Sequence, residues 1–111
     1  MKYTLEQLEG MSDKQISEAV LSLITGYSID EAREIISTGY FSKSSFCDYC
    51  NSWADMGPLI SSALIDITYA SDGSGYCRHE ILIDLTESHF ALGRELRAAA
   101  IVYILVKQEK L

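Results

Sequence analysis

Two stretches of this chain alternate apolar and polar positions at helical spacing, two at strand spacing, and one is apolar almost throughout. In the first helical stretch, Ile16, Ala19, Val20, Leu23 and Ile24 share one face. Ser12 stands before it with Gln15 three residues on, the spacing of a reciprocal capping box, and Met11 and Ile16 can form a hydrophobic staple. Gly26 can take the left-handed conformation that ends a helix. The pattern predicts an amphipathic helix over Asp13–Thr25. Ser28 and Glu31 repeat the capping spacing ahead of Ala32, Ile35 and Ile36, predicting a second helix over Ile29–Ser37. The short connector Gly26–Ser28 pairs the two as a helical hairpin.

Tyr40–Tyr49 is aromatic and serine-rich without a period, and reads as an extended loop anchored on the core. Asn51 or Ser52 can cap the next helical turn. Pro58 lacks an amide hydrogen and disfavours a helical residue before it, so the expected arrangement is a turn at Trp53–Met56 and a fresh start at Pro58–Ala63. Ile65, Ile67 and Tyr69 then alternate with Asp66 and Thr68. Beyond the turn Ser71–Gly75, Cys77, His79, Ile81 and Ile83 alternate with Tyr76, Arg78, Glu80 and Leu82. This predicts an antiparallel hairpin of Leu64–Ala70 and Tyr76–Asp84. Leu85–Gly93 is expected to be a connector, with Thr86 capping an early turn and Gly93 making a break.

The final stretch, Arg94–Leu111, sets the architecture. From Leu96 to Val106 only Arg97 is polar. A helix that is apolar all round is buried on more than one side, so this one should be the core spine, with Val20, Ile24, Ile67 and Ile81 packed on it. The predicted fold is α+β: N-terminal helices, a two-stranded antiparallel β-hairpin and a buried C-terminal helix in one compact domain over residues 1–111. A second copy of the chain could also complete the cover of that helix, making a homodimer.

At 111 residues such a domain buries enough surface to fold without disulfides or metal. Charge narrows the partners. Nine Lys and Arg against sixteen Asp and Glu leave a net charge of −7, which disfavours a broad nucleic-acid footprint, because phosphate backbones need cations to displace their counterions. The longest apolar run, Ala98 to Val106, is far short of the roughly 20 residues that span a bilayer. Three cysteines, an odd number, behind a polar N-terminal stretch, MKYTLEQLEG, point to a reducing compartment with no membrane association.

Two blocks of sequence resemble a known family. Cys50-Asn51-Ser52-Trp53-Ala54-Asp55-Met56-Gly57-Pro58-Leu59-Ile60 and Leu96-Arg97-Ala98-Ala99-Ala100-Ile101-Val102-Tyr103-Ile104 are similar to the NinX family of lambdoid phages and prophages. Met11–Leu23 resembles its opening helix. The chain departs from that pattern at Arg94-Glu95, where the family carries Asn-Pro, and at Gly57, where it carries an aromatic. The resemblance implies a small phage accessory protein of unknown function, acting in the cytoplasm of a bacterial host.

Four constellations are candidates for chemistry or recognition. Asp55 and Arg97, both matching the family pattern, can form an ion pair that ties the Pro58 segment to the closing helix. Alternatively, Arg94 and Arg97 at a helix N-terminus can hold an anion. Cys47, Cys50, Cys77 and His79 form a possible zinc set, against the plainer reading of small core thiols and a satisfied histidine. Tyr49, Trp53 and Phe46 are core aromatics or a partner-binding patch. No nucleophile elbow, phosphate-cradling glycine loop or zinc-protease spacing occurs. The reading best supported is a non-catalytic phage accessory protein that binds a host or phage protein. The alternative is a small-ligand or anion-binding module, with or without enzymatic activity, centred on Arg97 and Asp55.

Overall fold

A computed structural model describes residues 3–38, 49–79 and 87–108, the side chains of 35–38 excepted. In chain order it runs α1 (Leu5–Glu9), α2 (Asp13–Thr25), α3 (Ile29–Thr38), α4 (Trp53–Ser62), β1 (Ile65–Tyr69), β2 (Gly75–His79), β3 (Ser88–Phe90) and α5 (Glu95–Gln108). The fold is α+β, with a three-stranded antiparallel sheet in the order β1-β2-β3.

The closing helix is the spine its composition requires. Leu96 and every residue from Ala98 to Val106 are buried. The walls come from elements of the same chain: α2, α4 and α1 from the helical side, and all three strands from the other. No second copy is needed to cover this helix.

Local signals place the N-terminal helices. Ser12 and Gln15 form the reciprocal capping box, with the Gln15 amide 3.1 Å from Ser12 Oγ, and Gly26 ends α2 at φ 78°. Ser28 and Glu31 exchange the same pair of bonds ahead of α3. A third box, Thr4 with Gln7, starts α1, an element not anticipated although Thr-x-x-Gln carries its signature. The expected core face of α2 holds for Ile16, Ala19 and Val20, but Leu23 and Ile24 are 38% and 43% exposed. Periodicity shows which side of a helix is apolar and not how far along it the cover extends. A second strip takes their place: Ser17, Glu18 and Leu21 are buried. The Tyr49 amide donates to Ser17 Oγ, and Arg33 on α3 reaches Glu18 at 3.3 Å.

Between α3 and the sheet, the expected turn and restart are instead one helix. Ser52 caps α4, accepting from the Asp55 amide, and Pro58 lies inside it. The proline removes one hydrogen bond to the Ala54 carbonyl. Part of its usual steric penalty falls on the Cβ of the preceding residue, and Gly57 has none. Leu64, at φ 56°, then turns the chain into β1.

The hairpin forms in the expected place, Ile65 opposite His79 and Ile67 opposite Cys77. Cys77 and His79 are buried on one face, as the alternation requires. Ile81 and Ile83 lie outside the described residues, as does Thr86. The presumed connector contains β3, with Cys77 opposite Ser88 and Tyr76 opposite His89. Three residues are too few for an alternation to register.

Candidate functional site

Arg94 and Arg97 are three residues apart and so project from the same side of the first turn of α5. Two cations at a helix N-terminus oppose its dipole and call for a nearby anion. The anion is Asp13. Arg94 Nη2 donates to both of its carboxylate oxygens, at 2.6 and 2.7 Å, and Arg97 Nη1 donates to Oδ1 at 2.7 Å. Asn51 bridges the cluster, donating to Asp13 Oδ2 at 3.4 Å and accepting from Arg94 at 3.2 Å. Arg97 Nη2 also donates to the carbonyls of Glu9 and Met11. Asp13 itself opens α2, where its charge suits the dipole. The Asp13 carboxylate therefore joins the start of α2 to the turn before α4 and the start of α5, and Arg97 extends the cluster to the α1–α2 connection.

This corrects the expected pairing of Arg97 with Asp55. Asp55 lies in the first turn of α4, its amide bonded to Ser52 Oγ, and the carboxylate partner of Arg97 is Asp13. The anion that Arg94 and Arg97 hold together is this side chain of the protein, where the alternative reading had placed a ligand. Burial raises the Asp13 carboxyl. Hydrogen bonds from Arg94 and Arg97, the Arg94 charge and the Asn51 bond outweigh that and hold it below the ordinary 3.8.

Beside the clamp, β3 and the start of α5 enclose an open cleft of about 290 Å³. Arg94, Arg97, Ser88 and His89 supply its polar wall, with Phe90 and Ile101 on the apolar side. Ser88 is 1% exposed and its hydroxyl has no hydrogen-bond partner. Buried hydroxyls are seldom left so. Sequence inspection missed both Asp13 and Ser88. An acidic residue opening a strongly capped helix was the available sign for Asp13. Nothing in the sequence marked Ser88.

The zinc set is only partly within view, since Cys47 lies outside the described residues. Cys50 donates to the Asp13 carbonyl at 3.7 Å and Cys77 to the Glu95 carbonyl at 3.6 Å. Burial, with the Glu95 charge adding to it, pushes the Cys77 thiol up to about 12. Both cysteines thus sit as small buried groups bonded to helix backbone. Among the described residues no three His, Cys, Asp or Glu side chains converge as a metal site.

The aromatic set divides. Tyr49 is buried, the core alternative and not the patch, with its amide bonded to Ser17 Oγ on α2. Trp53 is half exposed. Phe46 lies outside the described residues. A different apolar surface forms at the turn end of the hairpin. Tyr69 meets Phe90 edge-on across Gly75, and Leu92, 74% exposed, rests over Gly73. Both positions favour glycine: a Cβ on Gly75 would lie 1.9 Å from the Thr68 carbonyl oxygen, and Gly73 sits at φ +88°, where a side chain is strained.

Among the described residues, no helix is long and apolar enough to cross a membrane. No protein-family model, curated protein or solved structure matches the chain.

Proposed function

We propose that this chain is a phage or prophage accessory protein that performs no chemistry of its own and acts by binding a host or phage protein. The observation that carries the binding is the apolar turn end of the hairpin, where Tyr69, against Phe90, and Leu92, over Gly73, are 54% and 74% exposed. Large apolar side chains exposed at one end of a small acidic protein suit a contact site, and the charge of −7 favours partners that present basic rims. The phage origin rests on the NinX-like segments around Trp53–Pro58 and Leu96–Ile104. The groups singled out for chemistry have structural contacts here: Arg94 and Arg97 hold Asp13, and Cys77 is buried with a raised pKa.

The test is affinity capture from a lysate of phage-infected bacteria, with the wild-type chain beside a Tyr69→Ser, Leu92→Asp double variant of unchanged melting temperature. A single protein recovered in stoichiometric amount by the wild type and lost by the variant supports the reading. Identical recovery by both, or none at low and moderate salt, overturns it.

A further inference from the structure

The outer edge of the sheet is open along β1. In an antiparallel pair, residues that bond the neighbouring strand alternate with residues whose amide and carbonyl point away from it. The Ala70 amide donates to the Ser74 carbonyl at 2.6 Å, which fixes that alternation. Thr68, opposite Tyr76, and Asp66, opposite Arg78, therefore bond β2, while Ile65, Ile67 and Tyr69 turn their amides and carbonyls outward. Among the described residues no hydrogen bond reaches these outward groups. Sheet edges are commonly guarded by proline, a bulge or several charges. Ile65-Asp66-Ile67-Thr68-Tyr69 pairs without a bulge and carries Asp66 as its one charge.

The pattern of this edge is complementary to itself. An antiparallel dyad through Ile67 sets Ile67 opposite its own copy and Ile65 opposite Tyr69, so each outward amide and carbonyl meets an outward partner. Asp66 then lies opposite Thr68, a neutral hydroxyl able to donate to its carboxylate. A dyad at Asp66 would set two carboxylates against each other, and one at Thr68 would leave Ile65 unpaired. The dyad at Ile67 also uses the exposed apolar groups at the two ends of the strand: Tyr69, 54% exposed, meets Ile65, and Leu64, 50% exposed, meets exposed Ala70. We propose that two copies of this chain associate through β1, antiparallel about Ile67, and join their three-stranded sheets into one. The charge of −7 on each copy opposes the contact, so the dimer tightens as salt screens that charge. A basic partner would show the reverse. This pairing does not rest on the partner-binding reading, and it is measured on the purified chain alone.

Sedimentation of the purified protein from about 10 µM to about 1 mM, with amide exchange followed by NMR, provides the test. A monomer–dimer equilibrium is expected, shifted toward dimer by sodium chloride. Protection of the Ile67 and Tyr69 amides should rise with concentration, while Asp66 and Thr68, already bonded to β2, stay unchanged. Thr68 is exposed, so its replacement spares the core. Thr68→Asp brings like charges together at two symmetric places and is expected to weaken the dimer about tenfold. Thr68→Lys, facing Asp66, is expected to tighten it by about the same factor. Glu6→Gln, an equal change of net charge on exposed α1, is expected to do much less. A chain that stays monomeric throughout, dimers in which the Ile67 and Tyr69 amides exchange as in the monomer, or weakening by Asp and Lys alike at position 68 would each overturn the proposal. So would edge amides protected only by a protein captured from the lysate, which would assign β1 to that partner's strand.

Discussion

One carboxylate, Asp13, is bonded to Asn51, Arg94 and Arg97, residues far from it in sequence. Its side chain is 32% exposed, so the two charged contacts are screened only in part. Replacement by Asn keeps the shape and removes the charge. Asp13→Asn should cost about 1–2 kcal/mol at neutral pH, read as a shift of the urea midpoint. The sign of its pH dependence follows from the depressed carboxyl. Stability from this group is complete above the unfolded value of about 3.9 and is lost as pH falls through the lower folded value. The gap between wild type and Asp13→Asn should stay constant from neutral pH down to about 5 and close below about 4. A gap that widens on acidification would show that the clamp does not hold the group ionised. The reason Asp13 went unnoticed while Asp55 was favoured is physical. Both are acidic residues in the first turn of a capped helix, and only packing decides which helix start meets α5.

At the scale of elements, the chain's signals divide by their range. Capping boxes at Ser12 and Ser28 and the left-handed Gly26 are contacts within a few residues, and each appears where it was expected. Pro58 was weighed as a local breaker, yet burial of Met56 and contact with α5 keep α4 continuous through it. That continuity leaves a lost hydrogen bond and ring crowding in the native helix. Pro58→Ala should therefore raise stability by about 1 kcal/mol, the helix gain being partly offset by a freer unfolded chain. Equilibrium urea unfolding of the two forms measures it. A loss of stability would mean that the proline's restriction of the unfolded chain outweighs its cost in the helix. β3 escaped notice for the opposite reason: Ser88–Phe90 gains its conformation from pairing with β2, not from its own composition.

For the whole molecule, burial of α5 sets the stability. Ile104 is fully buried within it, whereas Ile24, expected on the same core, is 43% exposed. Ile104→Ala should cost about 2–5 kcal/mol and Ile24→Ala no more than about 0.5 kcal/mol, compared by thermal or denaturant unfolding. Similar costs for both would place the last turn of α2 in the core after all. The two ends of the described chain are also joined. The Tyr3 amide donates to Gln108 Oε1 at 2.8 Å and Gln108 Nε2 returns a bond to the Tyr3 carbonyl at 2.7 Å. Contacts of this reach carry no trace in local sequence.

What the sequence determined by itself is what short-range chemistry and hydrophobic period can encode: three of the helices, the β1–β2 hairpin and the burial of Leu96–Val106. The α+β class follows from those. Only the tertiary structure decided which groups meet, because partner choice depends on how helix starts and strand edges are brought together across the core. That is why Arg97 finds Asp13 and not Asp55, why Tyr49 is core and Tyr69 is surface, and why Ser88 lies buried beside a cleft. The last helix was legible as a spine from its composition, but the chemistry gathered at its first turn became visible only once α2 and β3 were in place around it.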